Sequence, residues 1–258
     1  MTRRLCLVTG ASAGIGRAFA ELYASQGCDI ALTARRGDRL EVVARALRET
    51  HGVEVQTVCA DLADQGAPAA ILKALSRSPD ILINNAGYGV RGGFANPALE
   101  VHRAFMQVMV EAPLALTHLC LPAMKARGWG RIVNVASVAG LIPTTPGQPL
   151  YAAAKAFMIK ASVGTHLELR REGVHVTALC PGFTRTEFHD AAGMAEAVKT
   201  MPGWMWTSAE KMALAGARAV ERNRAIEIPG LFPKAVFAFA KLLPEGMGIE
   251  LLARTYRR

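Results

Sequence analysis

Leu5-Cys6-Leu7-Val8-Thr9-Gly10-Ala11-Ser12-Ala13-Gly14-Ile15-Gly16 decides how the rest of the chain is read. Four apolar residues followed by a turn with three glycines form the pattern of a buried strand that runs straight into a helix. The first helical turn projects unpaired N–H groups with a partial positive charge, and glycine lets the backbone come close to a ligand. Such a turn can hold a pyrophosphate. The spacing is GxxxGxG, not the commoner GxGxxG fingerprint. A glycine cluster alone can be a mere tight turn. Its position after the first strand of a strand–helix series is what favours the phosphate reading.

Downstream, short apolar runs rich in β-formers alternate with longer amphipathic segments. Strands are expected at residues 30–33, 53–59, 81–83, 131–135 and 175–179, and helices at 14–26, 69–75, 99–126 and 151–171. A further helix begins at an Asp38 N-cap and carries Leu40, Val43, Ala44 and Leu47 on one face. The strands are continuously apolar, as required when helices cover both faces of a sheet. Repeated strand–helix units give α/β architecture with a doubly wound parallel sheet of the Rossmann type. The chain is read as a single domain over 1–258. Residues 183–207 form a loop with short helices that frames the substrate. A helix at 208–222 and a strand at 225–228 follow, then a C-terminal helical extension, 231–258, broken by Pro233 and Pro244.

Of 258 residues, 51% are apolar, enough for a sizeable core without disulfide or metal staples. The five cysteines are scattered and form no CxxC pair; four lie in apolar runs. This argues against a zinc site and for a reducing, cytoplasmic location. The six histidines form no compact ligand set, so no metal is expected. No signal peptide or transmembrane segment is expected, because the apolar run ending at Val8 is too short. The formal charge is +9, but the basic residues are dispersed as pairs along the chain. That pattern reads as a solvated surface and not as a nucleic-acid site. Weak contact of the basic tail with an anionic membrane surface is the one exception entertained.

Three further stretches follow the glycine turn in order: Asn84-Asn85-Ala86-Gly87, Ser137 with Tyr151-Ala152-Ala153-Ala154-Lys155, and Pro181-Gly182 with Thr186. Together with TGxxxGxG they resemble the NNAG, Ser/YxxxK and PGxxxT motifs of the short-chain dehydrogenases/reductases, main branch, over about residues 5–230. The resemblance implies a nicotinamide cofactor contacted by Gly10, Ser12, Gly14, Ile15, Gly16, Asp61, Leu62, Asn85, Ala86, Gly87, Tyr151, Lys155, Pro181, Gly182, Thr184 and Thr186. It also implies hydride transfer at a carbonyl or alcohol carbon. The second strand ends in Arg35-Arg36, where NAD-specific members have an acidic residue. A guanidinium can pair with a 2′-phosphate that a carboxylate would repel, so NADP(H) is the expected cofactor.

Catalysis is expected of Ser137, Tyr151 and Lys155. Tyr and Lys at i and i+4 share a helix face. An ammonium near a phenol, whose free pKa is about 10, stabilises the phenolate. Ser137 ends the fifth strand, where a sheet of this kind opens its crevice, and its hydroxyl can hold the substrate oxygen. Two departures stand out. The Ser137–Tyr151 stretch is about one residue longer than the commonest family spacing. Aligning Leu121-Pro122-Ala123-Met124 with the family's LPxM places Met109 where the family has a tetrad Asn. A thioether cannot replace an amide's hydrogen bonds. However, Pro113 has no N–H to give to the carbonyl of Met109, so that carbonyl is expected to remain available to a relay water, with the helix kinked there.

Tyr88, Val90, Phe94, Ile142, Phe183, Phe188, Met194, Met201, Trp204, Met205 and Trp206 make the expected substrate side apolar, which suits a lipophilic carbonyl compound. Small residues Ala112, Ala115, Ala156 and Ala161 on the two long helices fit the family's habit of forming a homodimer or homotetramer. The alternative function is a catalytically weak dinucleotide-binding sensor or regulator of the same fold, which Met109 alone favours.

Overall fold

Leu5, Cys6, Leu7 and Val8 have no exposed surface. They form most of β1 (Leu5–Thr9), an interior strand of the sheet. The computed structural model describes residues 3–90, 92–143, 149–188, 201–242, 244 and 246–250. The other sheet strands are β2 (Asp29–Ala34), β3 (Val55–Cys59), β4 (Ile81–Asn84), β5 (Gly130–Val135), β6 (Val174–Leu179) and the short β9 (Ile226–Glu227). Their order is β3-β2-β1-β4-β5-β6-β9, with every neighbouring pair parallel.

Alternate residues of each strand face opposite helical layers. Cys6, Val8, Ile30, Leu32, Ile83 and Val133 pack on one side with Phe19 and Tyr23 of α1 (Gly14–Ser25), Leu40 and Leu47 of α2 (Gly37–His51), and Ala213 and Val220 of α7 (Ala209–Glu221). Leu5, Leu7, Leu82, Ile132 and Val176 pack on the other side. Their partners are Ile71 of α3 (Ala67–Ala74), Leu116, Cys120 and Met124 of α5 (Ala112–Ala126), and Leu169 of α6 (Pro149–Leu169). Continuous apolar strands are therefore two-faced core, as the sequence pattern implied.

The expected helix 99–126 is a composite. It comprises α4 (Leu99–Met106), a π turn over Gln107–Glu111, and α5. By length and composition the run Leu99–Ala126 could cross a membrane. In this fold Phe105, Met109, Leu116, Cys120 and Met124 are instead buried in the protein.

Some local expectations are corrected. Asp38 does not cap α2; the helix starts at Gly37 and Asp38 lies in its first turn, beside the positive end of the helix dipole. Pro233 does not break the C-terminal helix α8 (Leu231–Leu242), because it falls in the first turn, where no intrahelical N–H is needed. Ala112 is fully buried and cannot face a partner subunit. Of the loop 183–207, residues 189–200 and hence Met194 lie outside the described residues. Its two ends meet as the parallel pair β7 (Thr184–Arg185) and β8 (Thr207–Ser208). The five thiols are free, with only Cys59 exposed.

The strand order reverses between β1 and β4, which opens a crevice at their carboxyl ends. At the opposite edge the sheet is closed by a contact that only glycine allows. Gly173 has φ +77°, and a Cβ there would lie 1.9 Å from the carbonyl oxygen of Gly128. Gly173→Ala combines left-handed strain with backbone overlap. It is expected to lower the unfolding free energy by about 2–5 kcal/mol in urea titrations. A loss under about 0.5 kcal/mol, within the range of an ordinary surface substitution, would contradict this close approach.

Candidate active site

The glycine turn is held against β4 by hydrogen bonds that start at Thr9. Its hydroxyl accepts from the backbone N–H groups of Asn85 (2.9 Å) and Ala86 (3.0 Å) and donates to the carbonyl of Ile83 (3.3 Å). The Asn85 side-chain amide donates back to the carbonyls of Thr9 (2.9 Å) and Gly10 (3.2 Å). Gly10 and Gly14 adopt φ +64° and +55°. A Cβ on Gly16 would lie 2.4 Å from Asn85 Nδ2 and 2.5 Å from the Gly10 oxygen. This is a cradle that side chains would fill, with the N-terminus of α1 at its base, and so fits a pyrophosphate.

The arginines after β2 diverge. Arg36 Nη2 donates to Ser12 Oγ at 3.1 Å, which places it beside the glycine turn. Arg35 lies over the Tyr88 ring, 6.0 Å from its centroid. Arg39, in the first turn of α2, joins Arg36 in binding the Glu187 carboxylate. Sequence reading missed Arg39, although its i+3 spacing from Arg36 put it on the same helical face. At the end of β3, Asp61 Oδ1 accepts from the N–H of Ala63 at 3.0 Å, and Leu62 is buried. Thr184 is buried, with its hydroxyl on the Gly182 carbonyl at 3.1 Å. Thr186 packs on Gly14, where an added Cβ would lie 3.0 Å from Thr186 Cγ2. Pro181-Gly182 is covered by α8: a Cβ on Gly182 would lie 2.7 Å from Pro233 Cγ. The tail thus packs over the site.

Ser137, Tyr151 and Lys155 come together. Ser137 caps the short 3-10 turn Val138–Gly140, its Oγ accepting from the Ala139 N–H at 3.1 Å. That turn sits on α6 because Gly140 has no side chain; a Cβ there would lie 2.5 Å from the Lys155 carbonyl carbon. Gly140 is therefore a positioning residue that no motif flagged. Ser137 hydrogen-bonds the Tyr151 phenol. Lys155 Nζ lies 5.7 Å from the Tyr151 ring centroid and donates to the Val135 carbonyl at 2.7 Å.

The electrostatics differ from the sequence expectation. Burial pushes the Tyr151 phenol up to about 12, and only the Ser137 hydrogen bond pulls it down. Lys155 does not lower the phenol in the cofactor-free site, because burial brings the amine down to about 8 and it is already neutral before the phenol titrates. Burial pulls Lys155 down to about 8, opposed by the Cys180 thiol, which burial itself holds at about 12. A bound oxidised nicotinamide would add positive charge beside the phenol.

A small cavity with room for about one water is lined by Thr9, Asn84, Met109, Pro113 and Lys155, among others. The orientation of Asn84 follows from a donor chain. Ser162 Oγ donates to the Met158 carbonyl, Asn134 Nδ2 donates to Ser162 Oγ, and Asn84 Nδ2 donates to Asn134 Oδ1. Asn84 Oδ1 is therefore left as a buried acceptor with no protein partner among the described residues. The expected kink at Met109 is the π turn. The Ala112 N–H goes to the Gln107 carbonyl and Pro113 has none, so neither serves the carbonyls of Val108 or Met109. Met109 Sδ would lie 3.0 Å from a Cβ on Gly87.

On the substrate side Val90, His102, Phe105, Leu150 and Tyr151 line a shallow apolar recess. Phe188 lies 5.6 Å, centroid to centroid, from Tyr151; Phe183 packs on Trp206 and Trp204 on Phe232. Phe94 stacks on His102 and is largely exposed. Among the described residues no group of three metal-ligating side chains converges.

A switch-point crevice with a glycine cradle, and Tyr151, Ser137 and a buried Lys155 gathered beside it, defines an α/β protein that can hold a dinucleotide. The short chain dehydrogenase family model matches residues 4–197, and the chain belongs to that family. A dehydrogenase/reductase SDR family protein 7-like from Anopheles gambiae is 34% identical over 190 residues, covering 71% of this chain. The match spans 60% of that relative's length. A short-chain dehydrogenase from Sphingobium yanoikuyae in complex with NADPH is 32% identical with a TM-score of 0.80, over 94% of this chain and 97% of the other. A 7β-hydroxysteroid dehydrogenase is 26% identical with a TM-score of 0.86, over 97% and 96%. The chain is thus an oxidoreductase-family fold whose groove is suited to a nicotinamide dinucleotide.

The depressed Lys155 has a consequence for stability. Its folded pKa of about 8 lies below the ordinary 10.5, so the buried ammonium opposes folding in full below pH 8. That penalty fades as pH rises from about 8 towards 10.5, where the unfolded state still holds the proton. Relative to Lys155→Met, the cofactor-free wild type should therefore gain stability across that window in pH-dependent denaturation. Parallel pH profiles for the two proteins would refute it.

Proposed function

We propose that this protein is an NADP(H)-dependent carbonyl reductase or alcohol dehydrogenase acting on a lipophilic substrate. The observation that carries the reading is the convergence of Ser137, Tyr151 and Lys155 on the crevice that the glycine turn opens. A bound nicotinamide supplies or accepts the hydride. The Ser137 hydroxyl holds the substrate oxygen, and Tyr151 gives its phenolic proton to that oxygen in reduction and takes it back in oxidation. The positive charge that makes the phenolate accessible would come with the oxidised nicotinamide, and Lys155 stands beside Tyr151 to exchange its proton.

Preference for NADP(H) over NAD(H) is supported by Ser12, Arg36 and Arg39 gathered where β2 ends, with no carboxylate of β2 among them. NADPH complexes among the similar structures agree with it. A lipophilic substrate is supported by the apolar recess and by the likeness to a hydroxysteroid dehydrogenase. Exposed Leu114, Leu119, Phe157 and Leu167 on α5 and α6 support a homodimer or homotetramer, and the free thiols a reducing, cytoplasmic location. A sensor or regulator is the second reading, favoured by Met109 and by the high phenol pKa of the cofactor-free site.

The test is a panel of bulky ketones and their alcohols followed by NADPH absorbance. Tyr151→Phe should lower turnover by about 10²–10⁴-fold while NADPH still binds. Tight NADPH binding without turnover on any compound would transfer the assignment to the regulator.

The Met109 departure has its own test. Asn84 Oδ1 supplies an acceptor for a relay water beside Lys155, so a side-chain amide at 109 adds little. Met109→Asn is expected to change turnover by less than about tenfold. A rise of about a hundredfold, the scale of a missing acid–base contribution, would mean that Met109 cripples the relay.

A further inference from the structure

Three consecutive side chains lie across the cofactor groove. Thr186 rests on Gly14 of the glycine turn. Phe188 covers one side of Tyr151. Between them, Glu187 reaches the start of α2, where Arg39 Nη1 donates to both its carboxylate oxygens at 2.9 Å. Arg36 Nη1 and Nη2 donate to Oε2 at 3.4 Å, and Arg36 Nη2 also donates to Ser12 Oγ. Two guanidinium groups, one of them also bound to the Ser12 hydroxyl, thus converge on one carboxylate contributed from about 150 residues away in the chain. The arginines hold that carboxyl below its usual range, Arg39 foremost, so it stays anionic throughout neutral pH.

We propose that Glu187 is a specificity-determining residue. Its carboxylate occupies the arginine site of the cofactor's 2′-phosphate and is exchanged for that phosphate on binding. The proposal rests on the NADP(H) reading above. Phosphate brings more charge and more acceptor oxygens than a carboxylate, and so can take over Arg36 and Arg39. A cofactor without the 2′-phosphate brings nothing to displace Glu187. Because Thr186 and Phe188 flank Glu187, its release also frees the segment that lies on Gly14 and Tyr151. One end of the dinucleotide thereby reports on the other. The ion pairs are about half exposed, so the contact is weak enough to exchange reversibly.

The exchange is measured by calorimetric titration of the full chain with 2′,5′-ADP and with 5′-ADP at fixed low salt. Glu187→Gln keeps the size and removes the charge. It is expected to bind 2′,5′-ADP roughly three- to tenfold more tightly than the wild type, the range for relief of an exposed ion pair. Its affinity for 5′-ADP should stay within about twofold, an unresolved difference on that scale. In the wild type, amide exchange over residues 184–188 should rise with 2′,5′-ADP and not with 5′-ADP. Equal affinity of wild type and Glu187→Gln for 2′,5′-ADP, in a protein that still prefers it to 5′-ADP, overturns the proposal and leaves the NADP(H) reading standing. If neither protein prefers 2′,5′-ADP to 5′-ADP, the NADP(H) reading fails and takes the proposal with it.

Discussion

The absence of a side chain at Gly16 sets the geometry on which the site depends. With 2.4 Å between a built Cβ and Asn85 Nδ2, any larger residue would push the first turn of α1 away from β4. That turn and the segment after β4 would then part, and the Thr9 and Asn85 hydrogen bonds that tie them would have no partners. The crevice at the reversal of strand order exists in any doubly wound sheet. Its floor is close enough to grip a pyrophosphate only because β1, the glycine turn and Asn85 are in backbone contact.

How much of this could be read from the sequence follows from how local each signal is. The strands were legible because a two-faced strand must be continuously apolar, and β1 is four residues with no exposed surface. The glycine turn and the Tyr151–Lys155 pair were legible because their spacing is itself the geometry: a turn, and one helical step of four. Gly140 was not legible. Its role is a close approach between a turn and the backbone of the next helix, 15 residues on, and no motif marks it. The same holds for Glu187 on Arg36 and Arg39. The dispersed positive charge gave no hint that three basic or hydroxyl side chains would gather at the start of α2. The expectation that Lys155 lowers the Tyr151 phenol failed for a related reason. Proximity on a helix face was deduced correctly, but burial by the rest of the fold brings the amine down to about 8, so it is neutral before the buried phenol titrates.

Met109 illustrates how one departure is absorbed by another. A residue that cannot accept a hydrogen bond as an amide does stands four residues before a proline that cannot donate one. The helix answers with a π turn, which redirects the Ala112 N–H and leaves the carbonyls next to Met109 unserved by Ala112 or Pro113. Met109 and Pro113 both line the small cavity beside Lys155. The side chain that took the amide's place is not idle: it is buried and packs against Gly87, filling space beside the end of β4.

Three features that an ordinary core would eliminate therefore meet at one cavity: a buried amine whose hydrogen-bond partner is a backbone carbonyl, an amide oxygen with no protein partner among the described residues, and a π turn followed closely by proline. Each costs stability on its own, by burying charge, by leaving an acceptor unpaired, or by giving up a helical hydrogen bond. A core of similar volume built from leucine and valine would avoid all three. Their coincidence is not a packing accident, because the donor chain from Ser162 through Asn134 fixes which atom of the Asn84 amide is left without a partner. Where local rules are broken together and in one direction, the rest of the fold must hold the breakage in place. Here the sheet and the two helical layers do so, and what they hold is a small cavity lined by Asn84, Met109, Pro113 and Lys155.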